Sequence, residues 1–251
     1  MKIATAAVLV IGDEILSGRT KDRNLGYLAD WLLALGIDLK EARVVSDAES
    51  DIVAAINALR GRWDYVFTTG GIGPTHDDIT ADAVAKAFGV GLPHHPDAVE
   101  ALRRYYADDP SKLNEARLRM ARIPEGGSLI ANPVSGAPGF QIGNVFVMAG
   151  VPRIMQAMLA DIEPRLVKGP PMLSETVVAW VGEGDLAKPF GAVQARFADV
   201  VMGSYPFEDN GRFGSNLVLR GRDAARLAAA RAEVEAMLGA LKASGVVKVW
   251  G

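Results

Sequence analysis

A chain of 251 residues with 49% apolar and 23% charged side chains can bury one large core, or a medium core with a small companion. A formal net charge of −3 excludes an overall basic field for nucleic acid or anionic membrane, and the lack of cysteine excludes disulfides, thiolate nucleophiles and Cys-ligated metals. No apolar run reaches the ~20 residues of a membrane helix.

Residues Ala4 to Val10 are apolar and partly β-branched, as expected of a buried strand. The run ends in Gly12-Asp13-Glu14 without the cleavage pattern of a signal peptide, so a cytoplasmic protein is expected. After a polar loop, Leu25, Leu28, Leu32 and Leu35 recur at helical spacing, with Gly36 as the stop. Ile37 to Val45 reads as a second strand, and Ser50 as the cap of a helix through Leu59. A third strand, WDYVFTT, leads through GGIGPTHDDIT into a helix ending at Phe88-Gly89. Strand and helix thus alternate from Ala4 to Phe88, the order of a parallel sheet covered by helices.

Helices are expected over Pro96 to Tyr106 and Lys112 to Ala121; the basic clusters on them, Arg103-Arg104 and Arg117, Arg119, Arg122, read as solvated faces. Short apolar runs, Ser128 to Ala131 and Asn144 to Ala149, flank the turn-rich NPVSGAPGFQIG, and Pro152 opens a helix through about Leu166. Lys168-Gly169-Pro170-Pro171 is the clearest boundary. It divides a first domain, 1–169, from a small α+β domain, 172–251, with β-α-β-β-α order.

In open parallel sheets ligands bind outside the carboxyl ends of the strands. Three polar loops fall there: Gly12-Asp13-Glu14 with Asn24 at the next helix start, Asp47 after the second strand, and Thr69-Gly70-Gly71-Ile72-Gly73 with Asp78 after the third. A Gly-Gly-x-Gly turn brings main-chain N–H groups close to an anion, and the following helix start adds partial positive charge. Asp47 and Asp78 beside a phosphate then imply a bridging Mg²⁺-like ion, or a ligand with donors such as a pterin or ribose. An aspartate near a helix start is also a common cap.

TTGGIGPTHDDIT closely resembles the signature of the MoaB/Mog molybdopterin-binding fold in its CinA (competence/damage-inducible) form. GDEILSGRTKDRNLGYLADWL, Asp47, NPVSGAPGF and AGVPRIM match further family elements in order, from about Ile3 to Met155. The resemblance implies a three-layer α/β/α, mostly parallel sheet that binds a phosphorylated pterin or adenine nucleotide. It implies catalytic roles for Asp47 and Asp78, and a divalent metal, Mg²⁺ or Mn²⁺, held by Asp78. Gly12, Asp13, Glu14, Asn24, Thr69, Gly70, Gly71, Gly73, Ser135, Gly136 and Gly139 are the expected ligand contacts. Ser135-Gly136 replaces the usual Gly-Thr, Ala149 a proline and Ile154 an acidic residue.

The expected activity is cleavage of a P–O–P linkage, as in ADP-ribose or FAD. The alternatives are a non-catalytic pterin or nucleotide binder, or a protein-interaction factor in competence or DNA-damage response. Residues 172–251 resemble the family's middle domain, and the nicotinamide mononucleotide deamidase domain of longer relatives is expected to be absent. A homo-oligomer is expected from the resemblance, with no membrane and no direct nucleic-acid partner. His94-His95 reads as an exposed turn rather than a metal pair, and GRFG at 211–214 as a hairpin turn.

Overall fold

A computed structural model describes residues 2–244; Met1 of the first expected domain and residues 245–251 of the second lie outside them. The chain divides into two compact units, Met1–Gly169 and Pro170–Gly251.

The first unit runs β1 (Thr5–Ile11), α1 (Asp13–Leu16), α2 (Asn24–Ala34), β2 (Asp38–Val45), α3 (Glu49–Arg60), β3 (Tyr65–Thr69) and α4 (Thr80–Phe88). It continues with α5 (Pro96–Tyr105), α6 (Glu115–Leu118), β4 (Ser128–Ile130), β5 (Gly139–Ile142), β6 (Val145–Met148) and α7 (Pro152–Ile162). Six strands form one sheet in the order β2-β1-β3-β6-β5-β4. The pairs β1–β2, β1–β3 and β3–β6 are parallel, whereas β5–β6 and β4–β5 are antiparallel.

Strand alternation explains the three layers. On β1, Ala7, Leu9 and Ile11 face one core with Ile52, Ile56 and Leu59 of α3, Val84 of α4 and Leu102 of α5. Ala6, Val8 and Val10 face the other, with Leu28 and Leu32 of α2 and Met155, Met158 and Ile162 of α7. Strand β1 is buried on both faces and therefore reads as a continuous apolar run. In the second core Phe67 stacks on Phe146 at 5.1 Å between centroids, and Trp31 meets Phe67 edge-on at 5.8 Å. Each such buried ring contributes roughly 1.5–3 kcal/mol of transfer free energy.

Two expected helix features differ. Ser50 lies inside the first turn of α3, whose first bonds run from Asp51 and Ile52 N–H to the Ala48 carbonyl. The expected helix over 112–121 is broken into a 3₁₀ turn at Pro110–Lys112, the single turn α6 and another 3₁₀ turn at Arg119–Ala121. Pro110 removes a donor near its start, and the Asn114 side chain accepts Arg117 N–H at 3.0 Å, capping a fresh turn in mid-segment. Arg117, Arg119 and Arg122 do not lie on a solvated face; all three are partly buried, correcting the sequence reading of this cluster.

The start of β1 is fastened by Asp64, which accepts Thr5 N–H at 2.9 Å, Thr5 Oγ1–H at 2.7 Å and Lys2 Nζ at 2.9 Å. These bonds, the Thr5 hydroxyl first and Lys2 next, hold the Asp64 carboxyl at about 2, below its ordinary 3.8. The folded value is the lower one, so the stabilisation is complete above 3.8 and is lost as pH falls through about 2. Asp64→Ala is expected to cost about 1 kcal/mol at pH 7, after allowance for solvent screening of a partly exposed group. Chemical denaturation at pH 7 and pH 2 checks this: the gap between the two chains closes at the lower pH.

The second unit contains β7 (Leu173–Ala179), α8 (Glu183–Arg196), β8 (Val201–Asp209), β9 (Arg212–Gly221) and α9 (Ala224–Ser244). Its antiparallel sheet has the order β7-β9-β8. Val177, Leu217 and Leu219 of the sheet pack against Leu186, Phe190 and Val193 of α8 and Leu227 and Val234 of α9. Asn210-Gly211, at φ 51° and 77°, makes the two-residue turn between β8 and β9, so GRFG belongs to a hairpin.

Candidate functional site at the carboxyl ends of the parallel strands

Strand β1 lies between β2 and β3, so the chain leaves its end toward one side first and the other side later. This is the topological switch point, where a crevice opens beyond the carboxyl ends. The end of β1 is tied to β2 by Gly12 N–H to the Val45 carbonyl at 3.1 Å. Asp13 N–H then donates to Asp47 Oδ2 at 2.9 Å. These two bonds turn the chain into α1, which places Glu14 on the wall of the crevice.

The glycine loop follows β3. Gly70 N–H donates to the Met148 carbonyl at 3.2 Å, continuing the β3–β6 ladder by one bond. Thr80, the first residue of α4, stitches the loop down: its Oγ1–H donates to the Gly70 carbonyl at 2.9 Å and its N–H to the Gly71 carbonyl at 3.0 Å. Among the described residues no protein acceptor takes the N–H groups of Gly71, Ile72 and Gly73. Asp78 folds back over Gly73, and its Oδ2 accepts Thr75 N–H at 2.9 Å and Thr75 Oγ1–H at 2.6 Å. Among the described residues its Oδ1 takes no hydrogen bond.

On the opposite side, Asn132 closes the NPVSGAPGF turn. Its Oδ1 accepts the N–H groups of Val134 and Ser135 at 3.1 Å each, and its Nδ2 donates to Ser135 Oγ and the Ala137 carbonyl at 2.7 Å each. Asn24, only 3% exposed, donates from Nδ2 to the Gly150 carbonyl at 2.8 Å and so fixes the β6–α7 connection. The start of α7, with Pro at its first position, borders the crevice through Gly150, Val151 and Ile154.

Together these elements line an open cavity of about 620 Å³, inside the range of small-molecule sites. Of the expected contacts, Glu14, Gly70, Gly71, Gly73, Asp78 and Ser135 line it. The others do not. Asp47, expected at the metal or the attacking water, instead accepts the Asp13 N–H; Gly12 and Asp13 form the loop that presents Glu14. Asn24 acts on Gly150, and Thr69 is buried within β3. Gly136 lies against the Tyr105 ring and Gly139 is buried on β5 beside Met158, both as packing positions.

Sequence reasoning missed the wall formed by Tyr105, Tyr106, Arg117 and Met120. The two tyrosine rings meet edge-on at 5.0 Å, and the Arg117 guanidinium lies 5.1 Å from the Tyr106 centroid. The adjacent Tyr-Tyr pair at the end of an amphipathic helix was the available signal, since one of two neighbours on a helix must leave the apolar face. The expected His94-His95 turn stands apart from this site, with His95 Nδ1 accepting Asp97 N–H at 3.2 Å as the cap of α5.

The model of the probable molybdopterin binding domain matches residues 7–168, which include every wall of this cavity. The chain belongs to the molybdopterin-binding-domain family. Within the family it is of CinA type. It is 35% identical over 204 residues to a CinA-like protein of Citrifermentans bemidjiense, covering 80% of this chain and 48% of that relative. The chain thus spans about half the length of that relative. A protein of Pyrobaculum aerophilum is 38% identical over 216 residues, covering 82% of this chain and 81% of its own. The crystal structure of the protein CinA of unknown function from Thermoplasma acidophilum superposes with a TM-score of 0.62 at 34% identity, over 66% of this chain and 99% of that one. Residues 171–246 match the middle domain of FAD synthase. No helix among the described residues is long and apolar enough to cross a membrane.

Proposed function

We propose that the molybdopterin-binding-type unit hydrolyses a phosphoanhydride of the ADP-ribose or FAD class. The observation that carries this reading is one cavity lined both by residues with free main-chain donors and by carboxylates. The N–H groups of Gly71, Ile72 and Gly73 suit phosphoryl oxygens, and the walls beside them carry Asp78 and Glu14. Two carboxylates beside a phosphate repel it unless a cation intervenes.

Among the described residues no group of three or more His, Asp or Glu could hold a metal by itself. That donor set fits Mg²⁺ or Mn²⁺ of the kind that arrives with a phosphorylated ligand, bound through one or two carboxylates, water and phosphate oxygens. Asp78, through its uncommitted Oδ1, and Glu14 are the residues that would hold it. When bound, such an ion polarises a phosphoryl oxygen and lowers the pKa of coordinated water.

The protein's own residues supply the positioning. The glycine loop fixes the phosphoryl group and its donors stabilise the charge on its oxygens as water attacks phosphorus. For ADP-ribose the P–O–P bond breaks and the products are AMP and ribose 5-phosphate. Asp47 is a positioning residue that sets the Gly12–Glu14 turn through the Asp13 N–H. Tyr105, Tyr106 and Met120 form the wall suited to a planar base or flavin ring.

The test is product release from ADP-ribose, FAD and ATP with Mg²⁺, Mn²⁺ or Co²⁺, each against a chelator control. Metal-dependent release of the two monophosphates supports hydrolysis. Tight binding of a nucleotide or pterin without turnover in any metal would replace this reading with that of a binding module.

A further inference from the structure

Three arginines stand on the segment that faces the glycine loop, and two of them are committed. Arg122 makes a two-pronged pair with Asp82 at 2.9 and 2.8 Å. Arg117 donates to the Lys112 carbonyl and lies over the Tyr106 ring. Arg119 is different: among the described residues its guanidinium makes no hydrogen bond and no ion pair, and its Nε is buried without a partner. A buried guanidinium N–H without an acceptor is destabilising and calls for an explanation.

Arg119 also has a defined place beside the glycine loop. It lines a recess of about 20 Å³, room for roughly one oxygen-sized group, bounded by Gly71, Gly73 and Asp78. The same three residues line the main cavity, so the recess and the cavity adjoin the same glycine loop. The backbone that carries Arg119 is pinned, because its carbonyl accepts Arg122 N–H at 3.1 Å. Asp78 and Glu14 bring two carboxylates to this space, and of the arginines beside them Arg122 is neutralised by Asp82 while Arg117 is held over the Tyr106 ring. The uncommitted guanidinium is the charge that a phosphate there requires.

We propose that Arg119 is a ligand-binding residue whose guanidinium clamps the phosphoryl group seated on the Gly71–Gly73 loop. This rests on the reading of the cavity as a phosphoanhydride site and adds the residue that selects for an anionic ligand. A guanidinium is suited to the task because it stays charged and presents its donors in a rigid fork.

The experiment is calorimetric titration of the full chain with inorganic pyrophosphate and with ADP-ribose, with and without Mg²⁺. Wild type is compared with Arg119→Met and Arg119→Lys, and the melting temperature of each is recorded. Arg119→Met is expected to weaken both probes about 10- to 100-fold, the loss of a charged hydrogen bond. Arg119→Lys is expected to recover part of that loss, and Arg119→Met to melt no lower than wild type because an unpaired buried donor has gone. Affinities within twofold of wild type in Arg119→Met overturn the assignment. A lowered melting temperature with a loss that Arg119→Lys does not recover makes Arg119 a structural residue and overturns it too. If the wild-type chain binds neither probe, the phosphoanhydride reading itself falls and takes this assignment with it.

Discussion

Gly70→Ala is expected to lower the melting temperature of the protein by roughly 10 °C and to abolish ligand binding. Gly70 sits at φ +110°, a conformation that residues with a side chain rarely adopt. An added Cβ would lie 2.1 Å from the Ile11 carbonyl oxygen and 3.2 Å from its carbonyl carbon. No rotamer relieves that contact, because a methyl on the main chain meets main chain. Relief requires the end of β3 to move away from β1, which opens the sheet at its central seam. Strain and lost packing together cost roughly 3–5 kcal/mol. Gly89→Ala is the control. It too is left-handed, at φ +68°, but nothing lies within 4 Å of its added Cβ, so the cost is about 1 kcal/mol and binding is kept. Thermal denaturation of the two variants separates conformational cost from collision. A Gly70→Ala chain that melts like the Gly89→Ala chain would show that the loop is not locked against β1.

Asp78→Asn is expected to reduce kcat/KM for the phosphoanhydride by roughly 10³-fold while the melting temperature stays within about 3 °C of wild type. The substitution keeps the oxygen that accepts Thr75 N–H and Oγ1–H, so the turn over Gly73 survives. What it removes is the negative charge beside the glycine loop, and with it the carboxylate available to a divalent ion. Asp77→Asn tests the neighbour: Asp77 is exposed and does not line the cavity, so activity within a few-fold of wild type is expected. Steady-state rates over a Mn²⁺ titration read both. If Asp77 proves essential and Asp78 dispensable, the site is built on the wrong member of the pair.

The two predictions bear on one arrangement. Gly70 lets β3 end against β1, and only then do the next three N–H groups and Asp78 reach the switch-point crevice. Thr80 holds the loop from the other side with two hydrogen bonds. A defect at Gly70 is felt as lost stability and lost binding together. A defect at Asp78 is expected to lower kcat/KM with little loss of stability.

Much of this was legible in the sequence because it depends on short-range rules. Apolar runs such as Ala4 to Val10, alternating with helical periodicity, dictate a parallel sheet with two covered faces, and glycines after β3 dictate a tight turn. Loops that follow parallel strands share an edge, which placed Glu14, the glycine loop and Asp78 together, and the family resemblance added Ser135. Tertiary structure decided the rest, since a carboxylate's partner is set by distance and not by spacing along the chain. It gave Asp47 to the Asp13 N–H rather than to the cavity, and Asn24 to Gly150. It broke the expected helix over 112–121 into separate turns, which carried Arg119 from a solvated face into a recess beside Gly71 and Asp78. Periodicity shows which side of a regular helix is apolar. It says nothing of a segment whose helix is interrupted by an internal cap, and there only the packed chain shows which charges meet.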